Sequence, residues 1–161
     1  MGKEKEVTTN AMRILKKQGI AFEVNTYDCN NFIDGVHIAD QLGQPYEKSF
    51  KTLVAVGKSK AYYVFVLPVD REIDFKKAAR IVGEKTIQLI SVKEIQKVTG
   101  YIRGGCTPVG MKKAFPTYIE ESAKAQDQII ISGGKLGVQL ILQPDDLLQA
   151  VKGTYADFLA L

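Results

Sequence analysis

Residues 49–67 constrain the fold more than any other stretch. They read Ser-Phe-Lys-Thr-Leu-Val-Ala-Val, then Gly-Lys-Ser-Lys, then Ala-Tyr-Tyr-Val-Phe-Val-Leu. Two β-rich segments joined by a short polar turn form a hairpin. The second arm, Ala61 to Leu67, is almost wholly apolar, so both of its faces need cover and it belongs at the centre of a sheet. Strand alternation puts Phe50, Thr52, Val54 and Val56 on one face, and Lys51, Leu53 and Ala55 on the other. A lysine on an apolar face either snorkels at the strand end or points into a cleft. In a cleft, its ammonium could hold a phosphate or a developing oxyanion.

The rest of the chain supplies short helices and strands. Thr8 to Gln18 reads as a helix stopped by Gly19, and Phe22 to Tyr27 alternates as a strand. A polar loop, Cys29 to Gly35, leads to a short helix, Val36 to Leu42, stopped by Gly43. Asp74 caps a helix from Phe75 to Val82 ended by Gly83, and Thr86 to Ile90 is a short strand. Ser91-Val92-Lys93-Glu94 fits a capping box opening a helix to about Thr99. Thr117 to Glu121 and Gln128 to Ser132 are strands, and Gly133 to Gly137 turns the chain into Val138 to Leu142, a second hairpin. Pro144, with Asp145 and Asp146 beside it, starts a helix to about Val151, and Gly153 begins a short tail. Hairpins and helices interleave without a βαβ rhythm, so the class is α+β with a mixed sheet.

At 161 residues, the chain is expected to form one domain, 1–161, with a core of its own. A formal charge of +4 is compatible with an anionic partner such as RNA without demanding one. Met-Gly-Lys-Glu-Lys-Glu at the N-terminus has no apolar stretch behind it, so no signal peptide and no membrane span are expected. Cys29 and Cys106 form no C-x-x-C pair, which points to a reduced, cytoplasmic protein. One histidine, His37, leaves too few ligands for a zinc site, and no metal or cofactor is expected. His37 reads as a helix-surface residue, so any catalysis should rely on something other than histidine.

Two glycine-rich runs stand out. Gly100 to Gly110 reads G-Y-I-R-G-G-C-T-P-V-G, and residues 132–137 read S-G-G-K-L-G. Such runs present bare N–H groups and allow close backbone approach. Neither matches a nucleotide-binding template: no G-x-G-x-x-G follows a strand, and Gly133-Gly134-Lys135 lacks the spacing and the Ser/Thr of a Walker A loop. Cys106 invites a nucleophile reading, yet no histidine or helix N-terminus that would activate it is evident. Tyr27, at a strand end, is either a packed aromatic or a residue that stacks on a base or orients a water.

The first glycine run, followed by Lys112-Lys113, resembles the signature loop of the YbaK/EbsC family of aminoacyl-tRNA deacylases, related to the editing domain of bacterial prolyl-tRNA synthetases. The resemblance continues through Thr26-Tyr27-Asp28, Ser49-Phe50-Lys51-Thr52-Leu53 and Ile131 to Gly137, nearly the whole chain in order, and is strongest to the stand-alone Cys-tRNA(Pro) deacylases. It implies the editing-domain fold: α+β, a mixed and mainly antiparallel sheet, partly barrel-like, flanked by short helices. It also implies that Lys51 is the central catalytic residue and that Tyr27, Thr52, Gly104, Gly105, Pro108, Ser132, Gly133, Gly134 and Lys135 bind the substrate. Gly104 and Pro108 match a G-x-x-x-P motif whose backbone faces the aminoacyl ester. Cys106 falls where relatives carry an aliphatic residue, and Gln139 stands where some relatives have an acid. The implied reaction is cleavage of the Cys-tRNA(Pro) ester by the substrate's own thiol, with tRNA and prolyl-tRNA synthetase as partners. A non-catalytic RNA- or ligand-binding module of the same fold is the alternative, and a Cys106-dependent hydrolase a third reading.

Overall fold

The computed structural model describes residues 8–161, so the N-terminal segment read above lies outside the described residues. Helix α1 (Asn10–Lys17) is capped by Thr9, whose hydroxyl accepts from Met12 N–H, and it buries Ala11, Met12 and Leu15. Strand β1 (Glu23–Thr26) follows, then α2 (Gly35–Leu42), which Asp34 caps and a left-handed Gly43 ends. The hairpin is β2 (Phe50–Gly57) and β3 (Tyr62–Pro68), paired antiparallel with Lys51 opposite Leu67. Helix α3 (Phe75–Val82) starts where one Asp74 carboxylate oxygen accepts from Lys76 and Lys77 N–H at 3.0 and 3.1 Å, and stops at Gly83. Then come β4 (Ile87–Leu89), α4 (Val92–Thr99), β5 (Thr117–Glu120), β6 (Ile129–Ser132), β7 (Val138–Leu142), α5 (Pro144–Val151) and β8 (Thr154–Ala156).

The strands form a three-stranded sheet, β1-β7-β6, and a five-stranded sheet, β4-β2-β3-β5-β8. Pairings are antiparallel except β3–β5 and β5–β8, which are parallel. The strand pairing is therefore mixed and mainly antiparallel taken over two sheets rather than one, and β3 sits at the centre of the five-stranded sheet as its apolar composition demands. A parallel bridge between Ser49 and Ile130 links the two sheets, which remain open rather than closing into a barrel.

Two cores flank the hairpin. Phe50, Val54, Val64 and Val66 face a cluster with α1, β6, β7 and α5, while Ala55, Phe65 and Leu67 face a second with α3 and the C-terminus. The alternation read from the sequence is thus the division between the two cores. Lys51 lies on the second core's face, at its edge.

Two local expectations differ from the structure. The segment after Gly153 is not a plain tail: β8 adds an edge strand, with Tyr118 opposite Thr154, and Phe158 is fully buried beyond it. Three residues are too few to carry a readable period. At α4, Ser91 gives its hydroxyl to the Glu94 carboxylate at 3.1 Å instead of accepting from the helix, so the capping box closes between side chains.

Phe65 stacks on Tyr118 at 5.6 Å and meets Phe158 edge-on at 5.0 Å. It is 0 % exposed, so Phe65→Ala should destabilise the fold by about 3–5 kcal/mol, read as a lower urea midpoint.

Candidate active site

A cleft of about 400 Å³ opens between the two sheets. Ser49 with residues 50–54 of β2, and residues 130–132 of β6, form its floor, and its rim comes from the loop before α2, the start of α4 and the glycine loop at Arg103, Gly104 and Cys106. Its lining is largely apolar, with a few polar groups that converge from distant parts of the chain.

Five of the residues singled out in the sequence line this cleft: Tyr27, Lys51, Thr52, Gly104 and Ser132. Lys51 keeps 23 % of its side chain exposed and is held at the edge, donating to Val69 O at 3.3 Å and pairing with Glu72 at 3.5 Å. Thr52 has a buried hydroxyl without a hydrogen-bond partner in the protein. Such a group costs stability unless something satisfies it, and at a cleft a ligand can do so. Tyr27 is placed by backbone contact: its N–H donates to Gly137 O at 2.9 Å, and a Cβ on Gly137 would come within 2.6 Å of Tyr27 O. Burial is the main cause of the raised pKa of its phenol, with the nearby Cys29 adding to the rise.

The other five, Gly105, Pro108, Gly133, Gly134 and Lys135, do not line the cleft. They form its backing. A Cβ on Gly105 would lie 3.1 Å from Lys135 Cα and 3.2 Å from Lys135 N, so the two glycine runs meet main chain to main chain. Ser132 bridges them, donating to Gly104 O at 3.3 Å and accepting from Gly134 N–H at 3.4 Å. Tyr101 pins the first run by giving its hydroxyl to Val109 O at 2.6 Å. Pro108 is buried within that pinned loop. The Gly105 N–H is already used, donating to Ile102 O at 3.0 Å.

Gln139, singled out by the family resemblance, also lines the cleft, whereas Phe32 and Gln44 carry no sequence signal that would have found them. Phe32 stacks under Arg103 at the rim, with the guanidinium carbon 3.8 Å from the ring centroid. Gln139 is buried and exchanges hydrogen bonds with Gln44 at 2.8 and 3.0 Å, while its oxygen also accepts from Asn25 at 2.9 Å. Asp34 is fixed as the cap of α2, and hydrogen bonds from the His37 backbone and ring hold its carboxyl below the ordinary range. His37 itself is a surface residue of α2, 71 % exposed, as the sequence suggested.

Burial pushes the Cys106 thiol up to about 11, so it is protonated at neutral pH and a poor nucleophile. This removes the electrostatic basis for a Cys106-dependent hydrolase.

The chain is also similar to proteins of known family and to solved structures. Residues 36–150 match the family model described as aminoacyl-tRNA editing domain. A protein of Enterococcus faecalis, provisionally named Cys-tRNA(Pro)/Cys-tRNA(Cys) deacylase EbsC, is 37% identical over 156 residues, covering 96% of this chain and 95% of its own. A proline–tRNA ligase of Fervidobacterium nodosum is 27% identical over 96 residues, which are 60% of this chain and 16% of the ligase. Among solved structures, one provisionally described as a trans-editing enzyme for prolyl-tRNA synthetase superposes with a TM-score of 0.82 at 23% identity, covering 96% of this chain and all of that one.

Cys106→Ala should keep whatever turnover the site supports within about twofold of wild type, because the thiol is held protonated by its surroundings. A variant that folds normally and loses activity a hundredfold would make Cys106 the nucleophile after all.

Proposed function

The chain belongs to the aminoacyl-tRNA editing domain family, and from that premise we propose that it is a trans-editing deacylase that cleaves the ester of mischarged Cys-tRNA(Pro). The observation that carries the reading is the convergence of Lys51, the unpartnered Thr52 hydroxyl, Tyr27 and the Gly104 backbone on one cleft, in a chain so similar to the Enterococcus protein.

An aminoacyl ester is already reactive, so the enzyme mainly needs to position it and stabilise the charge that develops on its carbonyl oxygen. The cysteine thiol of the substrate attacks that carbonyl carbon. A C–S bond forms, the C–O bond to the terminal ribose breaks, and the thiol proton ends on the departing ribose oxygen. The products are a cysteine thiolactone and free tRNA. Lys51 is the charged donor for the carbonyl oxygen or an adjoining phosphate, and Thr52 is a neutral one. Gly104 supplies backbone beside the ester, and Ser132, with Gly133, Gly134 and Lys135, supports it from behind together with Gly105 and Pro108. This route needs no protein nucleophile, which fits the protonated Cys106.

Selection then depends on the thiol more than on pocket size, since a pocket alone separates small side chains only weakly. The name of the Enterococcus relative pairs Cys-tRNA(Pro) with Cys-tRNA(Cys), which supports recognition of the aminoacyl end rather than of tRNA identity. The choice of tRNA(Pro) would come from a complex with prolyl-tRNA synthetase, in the cytoplasm where translation runs.

Ester loss from Cys-tRNA(Pro), Ala-tRNA(Pro) and Pro-tRNA(Pro), followed with and without the synthetase, tests the reading. Rapid loss confined to the Cys ester is expected. Loss of none of the three, with tRNA still bound, would replace it by a non-catalytic RNA-binding module.

Lys51→Ala should lower kcat/KM on the order of 100-fold, the scale for removing one oxyanion donor, while the melting temperature stays near wild type. Lys51→Arg should also be strongly impaired, because a planar fork does not replace a compact ammonium in a confined cleft. A well-folded, active Lys51→Ala protein would take Lys51 out of the mechanism.

A further inference from the structure

The chemistry of the cleft leaves the Phe32–Arg103 pair at its rim unused. Arg103 caps the Phe32 ring at 3.8 Å, and both side chains line the cleft. Both are also exposed, Phe32 at 41 %. Leu89 and Val92, exposed at 41 and 54 %, line the cleft as well, so the rim is largely apolar and carries the Arg103 guanidinium together with the Asp34 carboxylate, which is paired with His37 at 2.7 Å. The pair is built by the glycine loop. A Cβ on Gly104 would sit 3.0 Å from Phe32 Cδ1 and 2.7 Å from Leu136 Cδ2, so glycine there lets the ring lie against the loop that carries Arg103. Among the described residues the guanidinium pairs with no carboxylate.

A guanidinium stacked on an aromatic ring keeps its outer face and its N–H edge available. A nucleobase can stack on the face and a phosphate can take the edge. Rim aromatics and arginines of this kind are how proteins hold unpaired nucleotides. Lys51, Thr52, Phe32 and Arg103 line one cleft, so an ester that reacts beside Lys51 and Thr52 leaves its ribose and base to the remaining lining, which includes this pair.

Resting on the deacylase reading above, we propose that Arg103, backed by Phe32, is the seat of the 3′-terminal nucleotide of the tRNA. The terminal base stacks on the Phe32–Arg103 pair, and the guanidinium edge takes the phosphate next to it. Arg103 is then a binding residue that anchors the RNA end and takes no part in bond cleavage.

The test uses the full chain and two uncharged acceptor-stem minihelices, one ending in single-stranded CCA and one with an abasic terminal nucleotide. Fluorescence anisotropy at fixed low salt should show wild type preferring the intact end by about tenfold, the scale of one base–aromatic stack. Arg103→Ala should abolish that preference. Arg103→Lys should lose it too while keeping part of the salt-sensitive binding that both ends share. With Cys-tRNA(Pro), Arg103→Ala should raise KM about tenfold and leave kcat unchanged. Absent or equal binding of the two ends by wild type, or an undiminished preference in Arg103→Ala, would overturn the proposal. Because the minihelices carry no ester, an Arg103-dependent preference without any deacylation would sink the deacylase reading alone. Full deacylation by Arg103→Ala at unchanged KM would sink this inference alone.

Discussion

The contact on which the site depends is the one between two stretches of bare main chain. Gly105 lies so close to Gly134 and Lys135 that any side chain there would press on backbone, which cannot swing aside. Once the two loops touch, the rest of the site is committed. Ser132 can bridge to Gly104, Gly104 can lie against Phe32, and Gly137 can close on Tyr27. Tyr101 makes the contact durable, for its buried hydroxyl closes the first loop onto Val109, and its ring sits 3.1 Å from where a Gly134 Cβ would be. Two flexible segments, about thirty residues apart in sequence, thereby become one rigid wall.

Strand β2 supplies the opposite constraint. It is gripped from both sides, by Phe50 and Val54 in one core and Ala55 in the other, so its register cannot slip without turning every side chain to the wrong face. Lys51 and Thr52 inherit that rigidity as adjacent strand residues that line one cleft. The floor of the site is therefore stiff, and its rim is made of loops that hold one another.

How much of this was legible follows from the range of the forces involved. The two hairpins, the central place of β3, the Asp74 cap and the glycine helix stops depend on residues within a turn or a strand of each other, and the sequence states them directly. Strand β8 was missed because its three residues are held by pairing to Thr117–Glu120, not by any pattern of their own. The same limit applied to the site. Glycines at 104 and 105 look alike in the sequence, yet one lines the cleft and the other is consumed in the contact behind it. Gln44, Asn25 and Gln139 meet across separations of 95 and 114 residues, and nothing local in any of them announces the meeting. Phe32 and Arg103 are likewise brought together only by the folded loops.

The titratable groups of the cleft point in one direction when taken together. The Asp34 carboxyl is held ionised by the helix end it caps, and the Tyr27 and Cys106 protons are held on by burial. Gln139 carries no charge, and its oxygen already accepts two hydrogen bonds. None of these three ionisable groups is poised to accept and return a proton near neutral pH, as a general base must, and the Gln139 amide does not titrate at all. The proposed reaction fits that inventory because its substrate brings its own nucleophile and proton, and it would ask of the protein only the Lys51 ammonium, the unpaired Thr52 hydroxyl and the backbone wall. A cysteinyl ester meets that requirement. An alanyl or prolyl ester, which lacks the thiol, does not, and that difference is the chemical ground of the selectivity proposed above.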